Sequence, residues 1–413
     1  MNAPMLTSLL LPLVLVAVEA VAAVVPGASR QDPPPSEVAE EPRRAEVILR
    51  DGRRVAALRA SVSADGRAVE LASADGGRSR VVPVEEVAAI LFSPAGGAPS
   101  DAPGMLEMQD GERLPGRLER AEQGVAWVHP WLGAMPVDLD RVRRLEIERL
   151  PGPRRGVTGK DAAPADADLV LLANGDAVAG LVAEVSIDVL VEPLDGGEPR
   201  RVPLERVRSI ELARRPAAPG TIRLWTADGT VLDAESLRAS GRDLLALRRE
   251  GASDASTRET TLFLREIDAV AWRPASILSL ASRPVEVSAL AAEDSRSPRS
   301  WLPGPRIGMD GALDAPPIEL SGPARFAFTV PAGSVLSAVA LLPEPMRRFG
   351  DLELVALDDG REVLRRRFSG SDPSAELIVP CASGVLVLEL REGRHGPVQD
   401  VLRLLGAVVV LRR

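Results

Sequence analysis

The sequence predicts an all-β protein in which tandem small β-barrel-like repeats are followed by a β-sandwich. Three observations carry this. Apolar and polar residues alternate at period two along most of the chain beyond residue 45, the mark of strands with one buried face. Tight-turn signals at Asp51-Gly52, Asp110-Gly111, Gly175-Asp176 and Asp228-Gly229 punctuate the alternation, and the pattern between them recurs. From about residue 274 the recurring landmarks stop while the alternation continues, through enough segments to fill a sandwich.

In chain order, residues 1–28 form an apolar leader. Leu and Val dominate Leu9 to Val18, and Ala20-Val21-Ala22 offers a small-x-small cleavage pattern, so the leader reads as a secretory signal. Its start has no Lys or Arg and Glu19 interrupts it, so the alternative is a retained anchor over Met5 to Val25. Either way the bulk of the chain is expected outside the cytoplasm, periplasmic or extracellular. Residues 29–44 are rich in Pro and charge and lack periodicity, as in a solvated linker.

The repeats span 45–93, 104–149, 168–214 and 220–273. Their middle strands carry Val69 and Leu71, Val125 and Trp127, Val189 and Val191, and Leu245 and Leu247. Then come Val82-Pro83-Val84, Met135-Pro136-Val137 and Val202-Pro203-Leu204, with Leu262-Phe263-Leu264 in the last copy. Pro donates no hydrogen bond, so it marks an edge strand or a strand start. Closing strands end at Ile90-Leu91-Phe92, Leu145-Glu146-Ile147, Ile210-Glu211-Leu212 and Val270-Ala271-Trp272. The turn glycines are 59, 64 and 54 residues apart (52, 111, 175, 229), too loose for a rigid solenoid, so beads on short linkers are expected. The linkers are 93–103, 150–167 and 215–219. By pattern alone the repeats resemble Sm-like and SH3-like barrels, a likeness that implies a fold and no function.

Residues 274–413 contain candidate strands at 325–330, 335–342, 352–357, 362–368, 376–379, 385–390 and 402–411, with Asp359-Gly360 as the clearest hairpin turn. The segments ILSLASRPVEV (Ile277 to Val287), Trp301 with RIGMDGALDAPPIEL, RFAFTVPAGSVLSAVALLP, LELVALDDGREVLRRRFSGSDP and GVLVLELREGRHGPVQDVLRLLGAVVVL follow in order. In these pieces the segment resembles the NPCBM family, galactose-binding-like β-sandwiches of the carbohydrate-binding-module type common in secreted planctomycete proteins. The resemblance implies that fold and carbohydrate binding. The sequence departs from the family in having Ser321-Gly322-Pro323 where a Gly-x-His is usual. It also has Val401, Leu402 and Arg403 after Asp400 in place of the family's polar run.

Composition narrows the function. A net charge of −9 and a pI near 5.2 argue against a nucleic-acid partner, which needs clustered cations. The basic residues are nearly all Arg, with Lys160 the single Lys, and Tyr is absent. One cysteine, Cys381, excludes a disulfide framework and a Cys-based zinc site. His129 and His395 lie far apart without ligand-spaced neighbours, so each reads as a solvated or satisfied side chain. No metal or cofactor is expected. P-loop, GxSxG, HExxH and EF-hand patterns are missing. Glu85-Glu86 would point to opposite faces of a strand, and Asp358-Asp359 reads as a turn. The Arg-rich runs 141–149 and 200–208 interleave with acids and read as salt-bridged surface rather than an anion groove. Trp127 and Trp131 around His129 read as hairpin packing rather than a sugar platform.

These readings favour a non-catalytic exported protein that binds or scaffolds at the cell envelope, with an envelope protein or glycan as partner. Membrane contact is expected only through an uncleaved leader. The alternatives are a carbohydrate-binding protein acting through the sandwich and an envelope hydrolase with an unrecognised site. For the sandwich, sugar sites combine an aromatic face with convergent polar groups. Phe326 and Phe328 are two apart and share a face read as core, and Phe349 and Phe368 are expected to pack as well. That leaves Trp301 with Arg306 and Asp310 as the candidate cluster, so residues 274–413 alone are expected to bind glycan weakly or not at all. The leader reading predicts a mature N-terminus between Ala20 and Arg30. Intact mass of the native protein checks it, and retention of Met1 would leave only the anchor.

Overall fold

The computed structural model describes residues 43–73, 79–93, 100–121, 124–148, 167–241, 243–249, 258–290, 302–308, 311–396 and 400–412. The leader at 1–28, nearly all of the linker at 29–44 and most of the linker at 150–167 lie outside the described residues. All the described residues belong to one compact unit.

The repeats share one local device. Gly52, Gly111, Gly175 and Gly229 have φ of +89°, +92°, +92° and +87°, a region open to Gly at no steric cost. The residue before each accepts a backbone N–H from two positions on. Arg53 N donates to Asp51 Oδ1 at 3.0 Å, Glu112 N to Asp110 Oδ1 at 3.0 Å, Asp176 N to Asn174 Oδ1 at 3.1 Å and Thr230 N to Asp228 Oδ1 at 3.0 Å. In the third copy Asn174, not Asp176, takes the role of the aspartate, because the side-chain acceptor must precede the glycine.

The first repeat contributes β1 (Ala45–Leu49), β2 (Arg54–Ala57), β3 (Arg59–Val62), β4 (Ala68–Ala72), β5 (Arg80–Pro83) and β6 (Val87–Phe92). The second has β7 (Gly104–Met108), β8 (Arg113–Ala121), β9 (Gly124–His129), β10 (Gly133–Pro136) and β11 (Val142–Glu146). In the third are β12 (Asp168–Leu172), β13 (Ala177–Val185), β14 (Asp188–Glu192), β15 (Arg200–Pro203) and β16 (Val207–Glu211). The fourth has β17 (Ile222–Thr226), β18 (Val231–Ala234), β19 (Ser236–Ala239), β20 (Leu244–Arg249), β21 (Arg258–Phe263) and β22 (Ile267–Trp272). In each copy the opening strand pairs antiparallel with both the next strand and the closing strand, as β1 does with β2 and β6. A three-stranded hairpin unit such as β3-β4-β5 folds over the other side. Pro83, Pro136 and Pro203 end the outer strands β5, β10 and β15, so the proline marks an edge at a strand end. In the first and third copies a 3-10 turn follows, and Glu85 and Glu86 lie in that turn rather than in a strand.

The expectation of beads on short linkers is corrected. Closing strands pair across copies: Ile90 of β6 faces Val270 of β22, and Leu145 of β11 faces Ile210 of β16. A contact of β8 with β18 then joins the two pairs, giving one 16-stranded sheet in the order β15-β14-β13-β12-β16-β11-β7-β8-β18-β17-β22-β6-β1-β2, with β9 and β10 branching from β8. The cores follow the same partnership. Val47, Val69 and Ile90 pack with Leu224, Leu247 and Val270, while Leu106, Trp127 and Leu145 pack with Val170, Val189 and Ile210. The physical reason is that a closing strand has an unpaired outer edge, and a unit this small buries little core by itself.

The sandwich strands are β23 (Ile277–Ser279), β24 (Val285–Ser288), β25 (Arg306–Ile307), β26 (Ile318–Ser321), β27 (Ala324–Thr329), β28 (Ser334–Leu341), β29 (Asp351–Asp358), β30 (Arg361–Ser369), β31 (Ser374–Cys381), β32 (Val385–Glu392) and β33 (Val401–Leu411). One sheet runs β25-β26-β33-β28-β31 with β23 beside β33, the other β24-β27-β32-β29-β30. The sequence pattern missed β23 to β26, which are short. Phe326, Phe328 and Phe368 fill the core, whereas Phe349 is 43% exposed with the Arg348 guanidinium 5.1 Å from its ring. Asp358 and Asp359 form the expected turn: Asp359 has φ +51°, and Asp358 accepts Ala382 N at 2.8 Å and Ser383 N at 3.0 Å.

The sandwich also packs against the repeats. Ala407 and Val409 of β33 face the sandwich core, while Val408 and Val410 face Ile48, Ala89, Trp225 and Ala271. Both sides of these strands are therefore buried, and their apolar runs are continuous for that reason. Because the second and third copies share a sheet and a core, a protease site placed between residues 150 and 167 should give two fragments that stay associated. Native size-exclusion chromatography after cleavage checks this, and separation into two folded pieces would contradict the shared core.

Candidate functional site

A cleft of about 240 Å³ opens where the fourth repeat meets the sandwich. Arg223 and Trp225 line it from β17, Ile277 and Ser279 from β23, and Leu313 and Asp314 from the 3-10 turn at 312–314. Alternation explains the β17 pair: Ile222 and Leu224 turn into the repeat core, so Arg223 and Trp225 share the opposite face.

Two buried polar atoms of the wall residues, Trp225 Nε1 and Ser279 Oγ, have no hydrogen-bond partner among the described residues. Such atoms are rare in folded proteins, because each costs on the order of 1–3 kcal/mol. Backbone strain gathers at the same place. Among the described residues the non-glycine positions with positive φ are Arg273, Leu313, Asp314 and Asp359. The first three adjoin or line the cleft, and residues held in this region mark functional sites more often than chance.

Beneath the cleft lies a buried charge network. Arg223 Nε donates to Asp233 Oδ1 at 2.7 Å, and its Nη2 to Asp233 Oδ2 at 2.8 Å and to Asp110 O at 2.5 Å. Burial works against this cation, but the Asp233 bonds outweigh it and hold its pKa above the ordinary value. Glu112 Oε1 accepts Asp233 N at 2.8 Å and Arg249 Nη2 at 2.5 Å. Burial nevertheless pushes the Glu112 carboxyl above the usual range. Asp314 pairs with Arg113. Each charge facing the cleft thus has a counter-charge in the protein.

His129 is fully used in structure. Its Nδ1 accepts Leu132 N at 3.2 Å and Trp131 N at 3.4 Å, so Nε2 carries the proton and donates to Thr230 Oγ1 at 3.1 Å. Burial lowers its pKa to about 4. Trp127 is buried with Nε1 on Leu114 O at 3.1 Å, and Trp131 Nε1 reaches Asp228 Oδ2 at 3.3 Å, so both tryptophans pack between repeats. His395 is exposed in the turn after β32. Arg144 of the first Arg-rich run pairs with Glu211 at 3.5 Å. Among the described residues no three His, Cys, Asp or Glu side chains converge as a metal site, and no helix is long and apolar enough to cross a membrane.

Of the cluster expected from sequence, Trp301 and Asp310 lie outside the described residues. Arg306 sits exposed on the edge strand β25, 3.7 Å from Glu319, and does not line the cleft. Sequence reasoning passed over Trp225 and Asp314. The available signal was the apolar run Val87 to Phe92, whose two buried faces require a second layer beside β17.

No family model matches the chain, and no curated protein does. Solved structures do. One is the CBM51-2 and INT domains from Clostridium perfringens ZmpB, with TM-score 0.27 and 8% identity, covering 46% of this chain and 40% of that one. A second is CBM51 from Clostridium perfringens GH95 in complex with methyl-galactose, with TM-score 0.22 and 11% identity, over 33% of this chain and 92% of that one. A third is the tandem CBM51 modules of Sp3GH98, the family 98 glycoside hydrolase from Streptococcus pneumoniae SP3-BS71, with TM-score 0.22 and 11% identity, over 75% and 88%. The chain spans less than half the length of the first. At TM-scores this low, no residue role is taken from these likenesses.

The His129 environment sets a pH dependence. Unfolded, this imidazole takes a proton near pH 6.5; folded, near 4. The unfolded state binds more protons between those values, so the contribution is complete above about pH 6.5 and falls as the pH drops to about 4. The loss is on the order of 3 kcal/mol. His129→Gln should be less stable at pH 7 and lose most of this slope. Urea unfolding across the window checks it, and an unchanged slope would assign the dependence to other groups.

Proposed function

We propose that this chain is a non-catalytic binding protein exported to the cell envelope, and that its junction cleft takes a small neutral saccharide. The observation that carries the proposal is the cleft wall. Trp225, Ile277 and Leu313 give it apolar surface, and two of its lining residues, Trp225 and Ser279, each hold a buried polar atom, Nε1 and Oγ, without a partner among the described residues. Arg223 is neutralised by Asp233, and Asp314 by Arg113. Paired charges favour a neutral ligand, and an apolar wall with a few polar groups suits a sugar ring with its C–H face and hydroxyls. The non-catalytic reading is supported by the saturation of His129, whose two ring nitrogens are both engaged and whose pKa lies far from neutrality. Export rests on the leader pattern of residues 1–28. Since β17 supplies one wall, the sandwich alone holds half a site, so residues 274–413 alone are expected to bind weakly.

Calorimetric titration of the whole chain with galactose, N-acetylglucosamine and their disaccharides tests this. Binding should weaken roughly tenfold in Ser279→Ala, the loss of about one well-made hydrogen bond. Asp314→Asn, which breaks the pair with Arg113, should weaken it as well. Absence of heat with every sugar, or binding indifferent to both substitutions, would remove the cleft from the proposal.

A further inference from the structure

The four repeats treat one strand edge differently. Two residues beyond each turn glycine stand Arg54, Arg113, Ala177 and Val231, the first positions of β2, β8, β13 and β18. In the first repeat Arg54 N donates outward to Glu376 Oε1 of the sandwich at 2.8 Å. In the second and fourth, Arg113 and Val231 pair with each other, antiparallel, and two positions on Asp233 N is taken by Glu112 Oε1 at 2.8 Å. In the third, Val170 pairs with Val178 and Asp168 with Gly180 toward β12. The turn bond Leu172 N to Asp176 O fixes these as the bonded pairs, so the N–H and C=O of Ala177 and Ala179 face away from β12. Among the described residues no other strand or side chain meets them.

This edge is also unguarded. Exposed edge strands ordinarily carry a charge, a proline or a bulge against pairing. The free stretch is Ala177 to Gly180, before β14 pairs from Leu181, and its sequence AVAG has neither charge nor proline; the bulge at Val182 to Glu184 lies beyond it. Ala177, Ala179, Leu181 and Ala183 are all exposed on one face, Leu181 by 44%, and Leu194 in the turn after β14 is exposed by 50%.

We infer that β13 is a homodimer interface, pairing antiparallel with β13 of a second copy about a twofold axis at Val178. The occupant follows from the chain itself, which already joins this edge of one repeat to the same edge of another at Arg113 and Val231. A second copy presents the same uncharged edge. Ala177 of each copy lies opposite Ala179 of the other, and Asp176 opposite Gly180, so no like charges meet.

Sedimentation equilibrium of the whole chain tests this with paired charge variants. The wild type should approach twice the mass of one chain as concentration rises. The double variant Ala177→Glu with Ala179→Glu puts carboxylates opposite each other and should weaken association roughly tenfold or more. The Ala177→Lys with Ala179→Lys variant should do the same, and an equimolar mixture of the two should restore the dimer as a heterodimer. Ala177→Arg, the residue found at this position in the first and second repeats, serves as a folded control checked by circular dichroism. A monomeric wild type at every concentration, a dimer unaffected by the charges, or failure of the mixture to restore it would each overturn the inference.

Discussion

The pairing of closing strands between repeats is the constraint on which the architecture depends. An isolated repeat leaves the outer edge of its last strand unpaired. Burying such N–H and C=O groups without partners costs on the order of 1–3 kcal/mol each. β6 with β22 and β11 with β16 resolve this by joining equivalent strands. Each junction also doubles the core, so that Val47 and Val270, from opposite ends of the repeat region, belong to one cluster. Hence the first repeat pairs with the fourth and the second with the third. The connections are nested, and the linkers need only be long enough to let the outer pair close around the inner one.

Once β17, β22, β6 and β1 lie side by side, their second face becomes an apolar sheet needing cover. Ala88, Ala89, Ala269 and Ala271 keep that face low, and Val408 and Val410 of β33 pack on it. Side chains this small let two sheets approach closely. The cleft opens beside this layer, lined by Trp225 and Leu313. The charges below it, Arg223, Asp233, Glu112 and Arg249, tie the second repeat to the fourth. Removing one member of such a buried set leaves a charge uncompensated and costs roughly 3–5 kcal/mol. The network therefore fixes the position of β17, and with it one wall of the cleft.

What could be read from sequence was local. Aspartate or asparagine before glycine announces its turn because the hydrogen bond spans two residues, although Asn174 was masked by the adjacent Asp176. Middle-strand pairs such as Val189 and Val191, and Phe326 with Phe328, declare a buried face by period two. The pairing of the first repeat with the fourth has no local signature, since edges of equal chemistry are interchangeable in sequence. Trp225 was hidden for a related reason. Alternation assigns it with Arg223 to the face opposite Leu224, which looks like solvent until the sandwich covers it. The cleft draws on β17, β23 and the turn at 312–314, three segments with no motif in common. Phe349 illustrates the opposite error: an aromatic residue in a sandwich was expected inside, yet it stacks with Arg348 at the surface.

Strain explains why the cleft belongs to the assembled chain and not to either layer. Leu313 and Asp314 sit at φ +61° and +52°, a conformation that costs roughly 1–3 kcal/mol per non-glycine residue. Such a cost persists only where the surroundings over-determine the geometry. Here both layers contribute. Leu313 is buried in the interlayer cluster beside Trp225 and Val408, and the Asp314 carboxylate is held by Arg113 of the second repeat. Released from the repeats, the turn at 312–314 would lose both restraints and relax toward ordinary backbone angles. The wall it forms would move away from the walls that Ser279 and Trp225 supply. The repeats thus act as the mould in which the sandwich's share of the site is set.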